Sequence, residues 1–273
     1  MSSTGCERIH EAFARARVEG RAALIPYLMA GDPGVEQSIA IALAVVGAGA
    51  DVLELGMPFS DPLADGPTIQ AAAERSLRAG TTLASCLDVV RGIRRESQVP
   101  LVLMGYTNPV MRYGVERFCR DLAAAGGDGL IVADMPPEEA DELRASADAH
   151  GIGLTFLVAP TSDTQRIKQV AALTTGFLYC VSLTGVTGAR TELPRALPAF
   201  LEGARAVTSL PVSVGFGVAT PEQVQELAPL ADGVVVGSAL VARIAAAGKH
   251  APRDAAAFVG ELRAATLVRV PAG

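Results

Sequence analysis

The sequence predicts a single (β/α)8 barrel, and three observations predict it. Eight short β-rich runs recur along the chain, an amphipathic helical segment fills every gap between them, and no linker or low-complexity tract divides the 273 residues. The length suits one such barrel, which typically needs about 250 residues. Residues 1–273 are therefore expected to form one barrel domain, with a doubly wound open sheet as the alternative that fits less well.

The strand-like runs are Leu24–Met29, Val52–Gly56, Leu101–Gly105, Gly129–Val132, Leu154–Val158, Phe177–Val181, Val212–Gly215 and Gly233–Val236. Several are almost wholly apolar instead of alternating. Parallel strands covered by helices outside and barrel core inside have that pattern. The intervening helical segments are Val35–Ala48, Thr82–Glu96, Gly114–Ala125, Pro137–His150, Asp163–Leu173, Pro194–Thr208, Pro221–Leu227 and a C-terminal stretch from Ser238. Helix starts carry Pro or Asp, as at Asp163 and Thr220-Pro221. Two helices are extra to the repeat, Arg8–Glu19 before the first strand and Pro67–Ala79 after the second.

Half of the residues are hydrophobic, enough for a large core, and the formal net charge of −6 is scattered along the chain. Nucleic-acid binding needs a basic face to neutralise phosphates, so the balance argues against it. It does not oppose a small anionic substrate, which a few backbone donors can hold. Cys6, Cys86, Cys119 and Cys180 are widely spaced and form no CxxC, as structural thiols of a reducing compartment would be. The N-terminus lacks the apolar stretch of a signal peptide, and no run reaches the roughly 20 apolar residues of a membrane span. A cytoplasmic protein is the expectation.

Active sites of such barrels lie at the C-terminal ends of the strands. There, Glu54 sits within an apolar strand on the same side as Val52 and Gly56. A carboxylate is costly to bury there unless paired, and burial raises its pKa towards that of a proton carrier at neutral pH. A structural ion pair with a neighbouring strand is the alternative. The loop that follows, MPFSDPLADGP, is long and irregular, as active-site loops are. Asp65 before Gly66-Pro67 fits either chemistry or a helix N-cap, and Asp61 before Pro62 fits a turn.

After the sixth strand, Ser182–Arg190 carries two glycines and small hydroxyl residues, which suits a mobile lid. The seventh and eighth strands end in Val214-GFG-Gly217 and Val235-VGSAL, and Ser238 opens a helix. Glycine lets backbone approach a ligand and a helix N-terminus offers free N–H groups, so this is the expected phosphate site. His10, His150 and His250 lie far apart without ligand spacing, so no metal is expected. No GxSxG, GKS/T or GxGxxG occurs. One strand carboxylate in a phosphate-binding barrel points to acid–base chemistry on a sugar phosphate.

The segment ELGMPFSDPLADGPTIQ resembles the signature of tryptophan synthase alpha subunits. PYLMAGDPG, LMGYTNPV, ADMPPEE, GVTGAR, GFGV and GVVVGSA follow the family order at the first, third, fourth, sixth, seventh and eighth strands. The resemblance spans nearly the whole chain. It implies a carbon–carbon lyase that cleaves indole-3-glycerol phosphate to indole and glyceraldehyde 3-phosphate in tryptophan biosynthesis. It further implies Glu54 as general acid–base, Asp65 as partner of the indole N–H, and Tyr179 as a brace for the glutamate. Gly188, Gly217, Gly237 and Ser238 match phosphate contacts, Tyr27, Met104, Ile131 and Phe216 an indole pocket, and Thr187 the lid. Leu183 stands where some members carry arginine.

The same likeness implies no cofactor in this chain. It implies a pyridoxal phosphate-dependent beta subunit as partner, usually in an α2β2 assembly, contacted through Met57–Ala64 and Asn108–Arg112. Two alternatives share the motifs: a stand-alone indole-3-glycerol phosphate lyase of specialised metabolism, and a non-catalytic barrel that activates a beta subunit. A ribulose-phosphate epimerase-like barrel lacks the His and Asp metal ligands it would need.

Overall fold

The structure is a computed structural model and describes residues 4–181, 194–215 and 217–268. Its staves are β1 (Ala23–Met29), β2 (Leu53–Gly56), β3 (Leu101–Gly105), β4 (Gly129–Val132), β5 (Gly153–Leu154, resuming as Leu157–Val158), β6 (Leu178–Val181), β7 (Val212–Gly215) and β8 (Gly233–Val236). Neighbours pair in parallel and β1 lies between β2 and β8. The first piece of β5 pairs with β4 and the second with β6, so this stave closes the ring. The sequence predicts Leu154–Val158 as one unbroken strand. At the break, the Thr155 hydroxyl accepts the Phe177 N–H at 3.3 Å, a side chain standing in for a ladder carbonyl.

The helices are α1 (Gly5–Val18), α2 (Val35–Gly47), α3 (Pro67–Arg78), α4 (Leu83–Arg94), α5 (Thr107–Tyr113), α6 (Val115–Ala125), α7 (Asp141–Ala149), α8 (Thr164–Leu173), α9 (Leu197–Ala206), α10 (Pro221–Leu227), α11 (Ser238–Ala247) and α12 (Ala251–Ala265). The two helices expected beyond the repeat are α1 and α3. Three boundaries differ from expectation. The segment Pro137–His150 divides into a 3₁₀ turn at Pro137–Glu139 and α7, because the turn ends at Ala140 before the α-helix begins. The C-terminal stretch divides at Gly248–His250, where Gly248 takes a positive φ of 52°. Helix α5 is additional, and Gly114, at φ 94°, separates it from α6.

Helix α1 seals the N-terminal mouth. A Thr4–Glu7 capping box starts it, and Ile9, Ala12, Phe13 and Ala16 form one buried stripe at helical spacing. That stripe packs inside the barrel with Ile25, Val52, Val102 and Phe177. Phe13 meets Phe177 at 5.6 Å between ring centroids, and Phe177 meets Tyr179 at 6.0 Å. An aromatic column thus climbs from the plug towards the open end.

The sealed mouth leaves the N–H groups at the start of the odd-numbered staves without water, and each must find an acceptor. Asp51, just before β2, accepts the Leu24 N–H at 2.8 Å and donates its own N–H to the Leu24 carbonyl. Asp128 does the same for Leu101 at 2.8 Å, and Asp232 for Val212 at 3.0 Å. Thr175 does so for Leu154 at 2.8 Å through its hydroxyl. Each aspartate is paired with arginine from α1 or the residues after it: Arg21 with Asp51, Arg8 with Asp128, Arg17 with Asp232. Arg94 adds a second cation to Asp128, whose side chain is fully buried. These contacts fix the staves at one end, and thereby the height of the side chains at the other.

Removing one partner from a buried ion pair strands the rest, so Asp128→Ala should lower unfolding free energy by about 3–5 kcal/mol. Asp254→Ala breaks only the exposed pair with Arg253 and should change it by less than about 1 kcal/mol. Urea denaturation followed by circular dichroism distinguishes the two; equal effects would contradict the clamp.

Candidate active site

The open end of the barrel holds a cavity lined by Tyr27, Glu54, Asp65, Met104 and Tyr179 on one side and Gly217, Gly237 and Ser238 on the other. Eight of the side chains and glycines singled out from the sequence therefore share one hollow. Ile69, Gly215, Val218 and Val235 line it as well. Ile69 escaped the sequence reading because it belongs to the apolar stripe of α3, where a site residue and a core residue look alike. Ile131 lies in the barrel interior with Tyr179 and Val235 and is not among the lining residues. Gly188, Thr187, Phe216 and Leu183 lie outside the described residues, as does Ser182–Arg190 as a whole.

Glu54 rises from β2, with Tyr27 opposite it on β1 and Val102 on β3. It is 1% exposed, and its Oε2 has no hydrogen-bond partner among the described residues. Among the described residues Glu54 forms no ion pair with a neighbouring strand. Burial, with the Asp65 carboxylate nearby, pushes its pKa up to about 8. Asp65 is half-buried, and burial raises its pKa to about 6 against the opposing influence of the Tyr106 hydroxyl. The two carboxyls are thus driven apart: at neutral pH Glu54 holds a proton and Asp65 is an anion. Such a division is how one site carries both an acid and a charged stabiliser.

Asp65 does not cap α3. Gly66 occupies the N-cap with Pro67 in the first turn, and the Asp65 carbonyl accepts from Gln70 Nε2 at 2.8 Å. Asp61 forms the expected turn, accepting from Ser60 Oγ and, through its carbonyl, from the Leu63 N–H.

Two tyrosines set the walls. The Tyr27 hydroxyl lies where a Cβ on Gly56 would stand, 1.9 Å away, and the Tyr179 hydroxyl lies 2.7 Å from the corresponding point on Gly215. Only glycine permits either approach. Burial raises both phenols well above their ordinary pKa, so both are neutral donors. Across from them, Gly217 takes a positive φ of 74°, and Gly237 is the N-cap of α11 with Ser238 as its first residue. The first N–H groups of a helix have no partner within it and favour an anion. The cavity therefore offers a proton donor, an anion and an anion-binding end.

The remaining thiols and imidazoles play no part in the cavity. Cys86, Cys119 and Cys180 are buried, with thiols pushed up to about 12, 11 and 12. His10 bonds the Gly176 carbonyl near the sealed end, and His150 bonds Glu116. No helix among the described residues is long and apolar enough to cross a membrane.

The folded state keeps the Glu54 proton between pH 4.5 and about 8, a window in which the unfolded chain releases it. Stability must therefore fall as pH rises through that window. Glu54→Gln carries no such proton and should gain on the parent by about 2–4 kcal/mol between pH 5 and pH 8. Urea midpoints at the two pH values measure this; a constant difference would mean that the carboxyl is solvated.

The family model described as tryptophan synthase alpha chain matches residues 13–266. The tryptophan synthase alpha chain of a Roseiflexus species is 52% identical, over 94% of this chain and 99% of its own. That of Geobacter sulfurreducens is 49% identical, over 94% and 98%. Among solved structures, a Mycobacterium tuberculosis tryptophan synthase chain superposes with a TM-score of 0.90 at 41% identity, covering 98% of this chain and 100% of its own. The tryptophan synthase alpha subunit of Legionella pneumophila gives 0.88 at 38% identity, over 95% and 98%.

Proposed function

This chain belongs to the tryptophan synthase alpha chain family, and on that premise we propose how its cavity carries out the family's reaction. The chain is a lyase of tryptophan biosynthesis that cleaves indole-3-glycerol phosphate to indole and glyceraldehyde 3-phosphate. The observation that carries the assignment of roles is the buried carboxyl of Glu54, whose Oε2 has no hydrogen-bond partner among the described residues, beside an ionised Asp65.

In the proposed sequence, the protonated Glu54 gives its proton to the ring carbon that bears the side chain. The ring becomes an indolenine cation, and Asp65 accepts a hydrogen bond from its N–H and stabilises the charge. Glu54, now a carboxylate, takes the proton of the hydroxyl on the adjacent side-chain carbon. The C–C bond breaks, its electron pair returns to the ring, and indole and the aldehyde separate. Tyr179 braces Glu54 from the neighbouring wall. Gly217, Gly237 and Ser238 hold the phosphate and Tyr27 and Met104 bound the ring; Ile131 lies in the barrel interior and is not among the lining residues, and Gly188, Phe216 and Thr187, outside the described residues, keep the phosphate, ring and lid roles that the likeness implies. The ring is its own electron sink, so this reading needs no cofactor in the chain. Pyridoxal phosphate belongs to the beta partner.

That partner, a tryptophan synthase beta subunit in an α2β2 assembly, would seat on the face beside the cavity. A groove there is lined by Pro58, Phe59, Asp61, Asn108, Pro109 and Arg112, and Leu63 of the same loop is 94% exposed. A cytoplasmic setting and a single domain over residues 1–273 complete the reading. The free thiols suit a reducing compartment.

Indole release from indole-3-glycerol phosphate, with and without a beta subunit, tests the roles. Glu54→Gln should slow it by about 10²–10⁴-fold and Asp65→Asn by about 10²–10³-fold. Full activity of either variant would overturn its assignment. Charge reversal within Pro58–Leu63 should weaken association and lower alpha activity, and an unchanged complex in sedimentation would count against that face.

A further inference from the structure

We propose that Asp32 and Arg75 are positioning residues for the cleavage: their two-point ion pair fixes α3 on the end of β1, and α3 in turn sets where Asp65 and Ile69 stand in the cavity. The inference rests on the role given to Asp65 above and names the contact that holds that residue's helix in place.

Helix α3 supplies two parts of the cavity. Ile69 lines the hollow from its first turn, and Asp65 stands directly before its N-cap, Gly66. The helix also reaches the anion-binding end, because Ile69, Ala72 and Ala73 cluster with Tyr27 and Met29 of β1 and Val241 of α11. It therefore lies between the carboxylate that meets the ring and the helix whose first N–H groups meet the phosphate. A shift of α3 would misalign the two ends of one substrate.

Apolar packing alone gives α3 little purchase. Two of the three apolar side chains on its buried face are alanines, and dispersion grows with the number of atoms in contact. Its more definite contacts go to three consecutive residues just after β1. Ser76 Oγ donates to the Ala30 carbonyl at 2.6 Å. Beyond the helix end, the Thr81 side chain stands 2.2 Å from where a Cβ on Gly31 would lie. Arg75 meets Asp32 with Nε at 2.9 Å from one carboxylate oxygen and Nη2 at 2.6 Å from the other. Such a fork sets direction as well as distance, which a point charge does not.

The surroundings leave the pair one arrangement. Asp32 is buried and Arg75 partly exposed, and the Asp32 N–H donates to the Met29 carbonyl at 3.2 Å. A small hollow beside the carboxylate is bounded by Leu28, Met29, Ile41, Val241 and Ile244. Turned away from Arg75, the charge would face those apolar side chains, which is costly. The anchor also belongs to the frame of Glu54. Ala30 donates its N–H at 2.9 Å to the carbonyl of Gly56, two residues past that glutamate. Asp65 is thus registered to Glu54 through the end of β1.

The test uses the full chain with its beta subunit, well below the unfolding temperature. Asp32→Leu with Arg75→Met replaces the pair by apolar groups of similar volume, a change that often leaves stability intact. It should lower kcat for indole release by about 10–100-fold, the scale of a displaced reacting group, with KM changed by less than about threefold. Calorimetric affinity for glycerol 3-phosphate, which needs only the anion-binding end, should stay within about twofold of the parent. Arg75→Lys keeps the cation but not the fork, and should show the same split at about 5–20-fold in kcat. A merely structural pair would show no such split. Parental kcat in the folded double variant overturns the positioning role, as does a joint loss of kcat and glycerol 3-phosphate binding in both variants. If only the double variant fails to bind glycerol 3-phosphate, Arg75→Lys decides by the same criteria. Asp65→Asn separates the two readings: parental activity there overturns the role of Asp65 itself. If Asp65→Asn is impaired while the double variant is not, the positioning role alone fails.

Discussion

A barrel plugged at one end must satisfy backbone donors that no water can reach, and everything at the open end depends on how that is done. Here Leu24, Leu101, Leu154 and Val212, each the first or second residue of an odd-numbered stave, exchange two hydrogen bonds with a residue shortly before the next stave. Three of those residues are aspartates that also bind arginines contributed by α1 or by its exit, so plug and staves are one electrostatic unit. An arginine here is more than a counter-ion. Arg21 meets Asp51 through two parallel bonds of 2.6 and 2.7 Å, which fixes direction as well as distance.

From that fixed floor the interior rises in layers. Phe13, Phe177 and Tyr179 stack upward, and Tyr179 ends the column as a wall of the cavity. Glu54 stands at the same level. An isolated carboxyl in such surroundings costs free energy that only the rest of the core can offset. With Ile25, Val52, Val102 and the α1 stripe all buried below, the barrel has stability to spend on one misplaced polar group. The same burial is what keeps Glu54 protonated: a solvated glutamate would hold no proton at neutral pH.

The fold was legible because parallel staves are apolar on both faces, and eight such runs between helical segments admit few arrangements. Glu54 was legible for the same reason, as a charge in a run that should have none. Where two physical demands share one signal, the sequence was ambiguous. Asp65 before Gly66-Pro67 satisfies the rules for a helix cap, and only the geometry shows Gly66 in that place. Helix α5 begins two residues before a proline, Thr107-Asn108-Pro109, a pattern that also marks a turn. The break in β5 depends on a hydroxyl from Thr155 reaching another stave, a long-range contact with no local trace. Arg75 had no signal of its own. An arginine on a helix is ordinary until the carboxylate of a distant turn is found against it.

The floor contacts also say something about how the barrel is divided. They join β1 to β2, β3 to β4, β5 to β6 and β7 to β8, while the seams between these pairs carry ordinary ladder bonds such as Leu53 to Pro100 and Leu178 to Pro211. The ring is therefore four two-stave quarters, and Glu54, Ile131, Tyr179 and Val235 are the equivalent inward positions of the four. Aliphatic, aromatic and acidic side chains occupy that one address without disturbing the clamp three or four residues earlier. Architecture and chemistry are thus written at separate positions of the same short segment, which leaves the second free to change while the first stays put.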